Sequence, residues 1–192
     1  MVGRQAKVLT TENVNAILAE LKLYADPERS LVMFLLSTKA GLRAGEIAKL
    51  EWPMVLDASG RISDTLVIED RIAKRGGGRR ITINPALRTA LASLHRKAPY
   101  REGPVVRAYR GGHMKPGSIV AIFAMLYRDL KLAGCSSHSG RRTFVTKAAR
   151  LVHRTGGSLK DVQALAGHRS LTTTELYIQG DTAAQRKLVA LI

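Results

Sequence analysis

DTLVIEDRIAKRGGGRRITIN, residues 64–84, decides what kind of fold the chain adopts. Its two ends, DTLVIED (64–70) and RRITIN (79–84), are rich in the β-branched residues that suit extended backbone, and AKRGGG separates them. Two such runs around a glycine-rich loop predict a hairpin, with the turn type left open by the loop length. On either side the pattern changes to helices. Upstream, Thr10 or Thr11 can cap a helix to about residue 24, with Val14, Ile17, Leu18 and Leu21 on one apolar face. Asp26-Pro27 reads as an N-cap followed by proline at the first helical position, and Gly41 suits the C-terminal cap of that second helix. Arg43 then falls in a tight turn, and AGEIAKLEW begins a short helix. Downstream, Asn84-Pro85 opens a helix to about residue 97, and an irregular connection follows with one short strand at 105–107. Four helices are expected near 118–132, 140–152, 158–166 and 172–178, and the amphipathic stretch DTAAQRKLVALI ends the chain. The expected fold is mainly α with a small antiparallel β-sheet (α+β). No internal repeat or linker divides it, so 1–192 reads as a single domain.

Composition narrows the function. No run approaches the roughly 18 apolar residues of a membrane span, and MVGRQAKVLTTENV lacks the apolar core of a signal peptide. One cysteine, Cys135, cannot form an internal disulfide. The expectation is a soluble protein of a reducing, cytoplasmic compartment, with no membrane partner. Lys and Arg number 31 against 15 Asp and Glu, a net charge of +16. The excess is segregated: residues 71–160 hold 20 basic and 2 acidic residues, Glu102 and Asp129. A surface that follows a phosphate backbone segregates charge in this way. Charge alone does not choose among polyanions, and an RNA-binding domain fits it as well.

Phosphodiester chemistry without a metal needs fixed cations for the charge that develops on the non-bridging oxygens. Arginine suits the task, because its planar fork binds two oxygens and stays protonated. A side-chain hydroxyl must attack. A free tyrosine, with a pKa around 10, is about one part in a thousand ionised at pH 7, so it needs cationic surroundings or a base. A lysine of tuned pKa can protonate the departing oxygen. Candidates for every role are present: Arg43 in KAGLRAGEI (39–47), Lys74 in the hairpin loop, His138 and Arg141 in SSHSGRRTF (136–144), and His168 and Tyr177 in LAGHRSLTTTELY (165–177).

The order Arg, Lys, His-x-x-Arg, His, Tyr resembles the catalytic domain of the tyrosine recombinases, the phage integrase family. The resemblance implies that Tyr177 attacks the scissile phosphate to form a 3′-phosphotyrosyl link and free a 5′ hydroxyl. It implies that Arg43, Arg141 and His168 hold the non-bridging oxygens, that Lys74 protonates the leaving oxygen, and that His138 assists proton transfer at the tyrosine. Glu46 matches an acidic residue that positions active-site groups. Arg75, Arg79, Arg80 and Arg142 are candidate DNA-binding residues, since the three in the hairpin can clamp phosphates beside Lys74. No metal and no cofactor is implied. The implied partner is double-stranded DNA, engaged as a homo-tetramer of two synapsed dimers with accessory DNA-bending proteins, in the bacterial cytoplasm and nucleoid. A type IB topoisomerase and a DNA-occupying protein without catalysis are the competing functions.

The sequence also departs from the family pattern. Gly140 stands where leucine is usual in the second arginine box, which removes an apolar anchor and predicts a looser helix start. Arg142 replaces a histidine, and Ala166 replaces a leucine. Only about 40 residues precede Arg43, so the N-terminal clamp domain common in the family is not expected within this chain. The apolar end LVALI (188–192) is expected to dock on a neighbouring protomer or to fold back on its own. Each site residue has a plainer alternative: Arg43 as a salt bridge to Glu46, His138 as an N-cap, His168 as a satisfied core histidine, Tyr177 as packing. His95, His113 and His153 fit no motif, and their spacing does not suggest zinc.

Overall fold

The fold is that of a computed structural model, which describes residues 5–73, 76–97, 100–177, 186, 189 and 190. Lys74 and Arg75 lie outside the described residues, as does nearly all of the C-terminal stretch expected to dock.

The first helix, α1 (Thr11–Leu21), starts where Thr10 Oγ1 accepts a hydrogen bond from the Asn13 backbone N–H, and Asn13 Oδ1 accepts one from the Thr10 backbone N–H. It stops at Leu21, short of residue 24. The second, α2 (Pro27–Lys39), begins with Asp26 accepting from the Arg29 N–H at 3.1 Å. Every residue from 32 to 38 is buried, so α2 is surrounded by protein and forms the central rod. Gly41, with φ +66°, turns the chain out of α2 into α3 (Ala44–Lys49). A 3-10 turn at Trp52–Met54 leads to the hairpin. There β1 (Thr65–Ile68) pairs antiparallel with β2 (Arg79–Thr82), Thr65 opposite Thr82 and Ile68 opposite Arg79. Leu66, Ile68, Ile81 and Ile83 point inward at alternate positions.

Next come α4 (Pro85–Lys97), α5 (Pro116–Asp129), α6 (Ser139–Leu151), a 3-10 turn at Val152–Thr155, α7 (Leu159–Ala166) and α8 (Leu171–Glu175). Asn84 Oδ1 accepts from the Ala86 N–H at 3.0 Å at the start of α4. The strand expected at 105–107 does not form. Val105 donates to Leu50 O and Trp52 to Gly103 O, but Trp52 then enters its 3-10 turn, leaving only isolated bridges at Glu51–Pro104 and Arg107–His113.

Among the described residues, burial falls into two cores. The larger surrounds α2 and takes in α1, α3, α4, α5 and the hairpin. The smaller consists of Val145, Ala149, Val152, Val162 and Ala166, with Phe144, Leu159 and Tyr177 packed on it. The two meet where α6 crosses α2. Gly140 sits at that crossing, and a Cβ there would lie 2.4 Å from Ser37 Oγ and 2.9 Å from Ser37 Cβ. The expectation that glycine loosens this helix start is therefore corrected. Its missing side chain lets two helices approach closely, and α6 begins one residue earlier than expected, with Ser136 N–H donating to Ser139 Oγ at 3.0 Å. Among the described residues no helix is long and apolar enough to cross a membrane.

Candidate active site

Arg43 is the N-cap of α3, fixed there by Glu46 one turn on. Its backbone N–H donates to Glu46 Oε2 at 2.9 Å and its Nη1 to Oε1 at 3.0 Å, while a quarter of the side chain stays exposed. Glu46 itself is 2% exposed and takes a second fork from below: Arg79 Nη1 and Nη2 donate to its two oxygens at 3.0 Å each. Burial alone would push the Glu46 carboxyl up. The hydrogen bonds and charge of Arg79, then those of Arg43, outweigh it and hold the carboxyl below its usual range.

Two buried guanidiniums hold the end of α7. Arg141, 3% exposed, donates from Nη1 to Gly41 O and from Nη2 to Ala166 O, both at 2.6 Å. Arg79 Nε donates to Leu165 O at 3.0 Å. These carbonyls lie at or just beyond the ends of α2 and α7, where backbone acceptors lack helical partners and the helix dipole favours a cation. Burial, then the charge of Arg43, pushes the Arg141 guanidinium down to about 10, so it remains cationic at neutral pH.

Directly after that pinned end, Gly167 (φ +60°) turns the chain and presents His168. The imidazole Nδ1 lies 3.0 Å from Thr174 Oγ1, which leaves Nε2 as the nitrogen open to a ligand. Burial first, and then the charges of Arg141, Arg43 and Arg79, push His168 down to about 4, so it is neutral at pH 7. Tyr177, two residues past α8, stacks its ring 5.5 Å from that of His168 at 25°. The Arg142 guanidinium lies 5.7 Å from the Tyr177 ring centroid and donates to Gln5 Oε1. His138 occupies the N-cap position of α6 and is exposed.

Arg43, His138, Arg141, Arg142, His168 and Tyr177 thus line one cavity of about 490 Å³. No carboxylate appears among its described lining residues, so its field suits an anion. Of the candidate site residues, Lys74 and Arg75 lie outside the described region. Arg80 is exposed on the outer face of the hairpin, beside a neighbouring groove that includes Lys160 and Arg169. Arg79, grouped by sequence with the phosphate-clamping arginines, is corrected: its side chain is 5% exposed and turned inward onto Glu46 and Leu165. Thr174, fully buried, was not singled out in the sequence, and a threonine in a Thr-rich run carries no local signal.

A cationic cavity with two imidazoles and one tyrosine, on a helical frame with one hairpin, defines a class, and the chain belongs to it: residues 7–183 match the Phage integrase family. The tyrosine recombinase XerC of Mesorhizobium japonicum is 30% identical over 185 residues, covering 92% of this chain and 56% of that protein. The XerC of Rhizobium meliloti is also 30% identical, over 92% of this chain and 55% of its own length. The chain therefore spans about half the length of these relatives. Among solved structures, the XerA recombinase superposes with a TM-score of 0.74 at 17% identity, over 96% of this chain and 64% of that one. The Tn1549 transposon integrase in complex with a circular intermediate DNA superposes with 0.72 at 17% identity, over 100% of this chain and 67% of that one. At these identities the likeness is one of fold.

Proposed function

We propose that the chain is the catalytic domain of a site-specific DNA recombinase that cuts and rejoins duplex DNA through a 3′-phosphotyrosyl intermediate on Tyr177. The observation that carries this reading is the convergence of Arg43, Arg141, His168 and Tyr177 on one cavity of about 490 Å³ without a carboxylate among its described lining. A scissile phosphate seated there meets two guanidiniums and a neutral imidazole. The arginines offer preorganised charge to the non-bridging oxygens, and His168 Nε2–H adds a neutral donor while Thr174 fixes the ring. The Tyr177 oxygen attacks phosphorus, its proton passing to solvent or to His138, and the 5′ oxygen departs with a proton from Lys74. The phosphotyrosine conserves the bond, so religation needs no nucleotide or cofactor.

Double-stranded DNA is the proposed partner. Arg80 and Arg142 would contact its backbone, with Arg75 joining them from the hairpin loop. Exchange between two sites implies a synapsed homo-tetramer, with residues 1–192 acting as one catalytic domain in each protomer and DNA-bending proteins assisting in the nucleoid. The test is covalent trapping on nicked duplexes drawn from DNA flanking the protein's own gene. A detergent-resistant adduct that Tyr177→Phe abolishes, with DNA affinity within about twofold, is the expected result. Binding without an adduct would favour a DNA-occupying protein, and relaxation of any supercoiled plasmid without synapsis would favour a topoisomerase.

A further inference from the structure

We infer that Arg79 is a positioning residue for strand transfer: it sets Arg43 through Glu46 and His168 through Leu165, and makes no contact with DNA itself. The inference rests on the strand-transfer reading above and deepens it. Three segments far apart in sequence meet on this one guanidinium. Nη1 and Nη2 hold the carboxylate that in turn holds Arg43, and Nε holds Leu165 O, three residues before His168. Arg141 takes the next carbonyl, Ala166 O, so the last turn of α7 is gripped by two cations in succession. Gly167 is shaped to this grip, because a Cβ there would lie 3.0 Å from Arg79 Cδ and 3.1 Å from Nη1. Arg79 is also the first residue of β2, at the foot of the loop that carries Lys74. One buried fork therefore joins the hairpin, the Arg43 turn and the His168 turn.

The electrostatics give it a signature. Glu46 faces Arg43 from the start of its own helix, Arg79 from β2 and Arg141 from α6, and His168 feels the charge of all three arginines. With Arg79 neutralised, the burial of Glu46 acts against a weaker set of partners, and its carboxyl takes up a proton at higher pH. Protonation then releases Arg43.

The experiment follows single-turnover adduct formation at saturating nicked duplex across pH 5.5–8.5, with affinity and melting temperature measured alongside. Arg79→Gln is expected to slow adduct formation on the order of 10²-fold with affinity within about twofold, and to move the acid limb of the rate profile upward. Glu46→Gln combined with Arg79→Gln should lack that moved limb. Arg79→Lys, which restores the charge but not the three-way fork, should return the limb towards its wild-type position with partial recovery of rate. Arg80→Gln, at a proposed phosphate contact, should weaken binding. Arg79→Gln behaving like Arg80→Gln would overturn the inference, as would an equal loss of rate at every pH with no rescue by lysine. Absence of any wild-type adduct would count against the strand-transfer reading instead. In that case the Glu46 carboxyl titration, read by 13C NMR on DNA-free protein, still decides whether Arg79 sets Glu46: an upward shift in Arg79→Gln upholds it, and an unchanged titration overturns it.

Discussion

His168 sits in an environment far from that of a free side chain. Held near 4 in the fold against 6.5 unfolded, it takes up fewer protons than the unfolded chain between those values. Stability is therefore fullest above about pH 6.5 and declines as the pH falls towards 4. Urea unfolding at pH 7.5, 6 and 5 should show this decline, and His168→Asn should flatten it. A seated phosphate dianion or diester opposes the three arginine charges, so DNA binding should raise the His168 pKa, an effect visible in the imidazole 13C shift. At this scale much of the site was legible. The order of Arg43, His138, Arg141, His168 and Tyr177 in three motifs singled them out as candidates, and the fold brings all five to one cavity. Arg79 was read as a phosphate clamp, because a basic loop hides which of its arginines faces inward. The signal was present all the same: strand alternation puts Arg79 on the face of Ile81 and Ile83, both buried, and Arg80 on the face of exposed Thr82.

Among the elements, glycines mark where helices and arginines come close. Gly140→Ala sets a Cβ against Ser37 at the α2–α6 crossing, and should cost about 1–3 kcal/mol in chemical denaturation. Gly167→Ala asks alanine to adopt φ +60° with Arg79 3.0 Å away. It should cost about 1–2 kcal/mol and slow adduct formation more than its loss of stability explains, since it moves His168. Full retention of rate by Gly167→Ala would contradict the account of the α7 end. The helix starts at Thr10, Asp26 and Asn84 were readable because capping is a local matter of one side chain and a nearby N–H. The failed strand at 105–107 and the tight crossing at Gly140 were not, because both depend on what a distant segment does: Trp52 turning away in one case, Ser37 approaching in the other.

Across the whole molecule, the proposed nucleophile rides on the smaller core. Tyr177 packs on Val145, Ala149, Val152, Val162 and Ala166, apart from the large core around α2. Few apolar residues seal this part, and buried arginine–carbonyl bonds tie it to the rest. Amide hydrogen exchange should therefore be slowest in α2 and faster through α7 and α8, with DNA slowing the latter. The segregation of 20 basic residues into positions 71–160 was plain in the sequence, but not its division of labour. Arg79 spends its charge inside the fold, whereas Arg80 is exposed and available to phosphate. Arg80→Gln should accordingly lower the slope of log affinity against log salt by about 0.9, with Arg79→Gln leaving it unchanged.

The most direct test of the central claim is to find the residue that carries the DNA. The trapped adduct would be digested with nuclease and trypsin and mapped by mass spectrometry. Of the five tyrosines, the account predicts the nucleotide on Tyr177, within the peptide spanning residues 170–186. A nucleotide on Tyr24, Tyr100, Tyr109 or Tyr127, or on any serine or threonine, would contradict it.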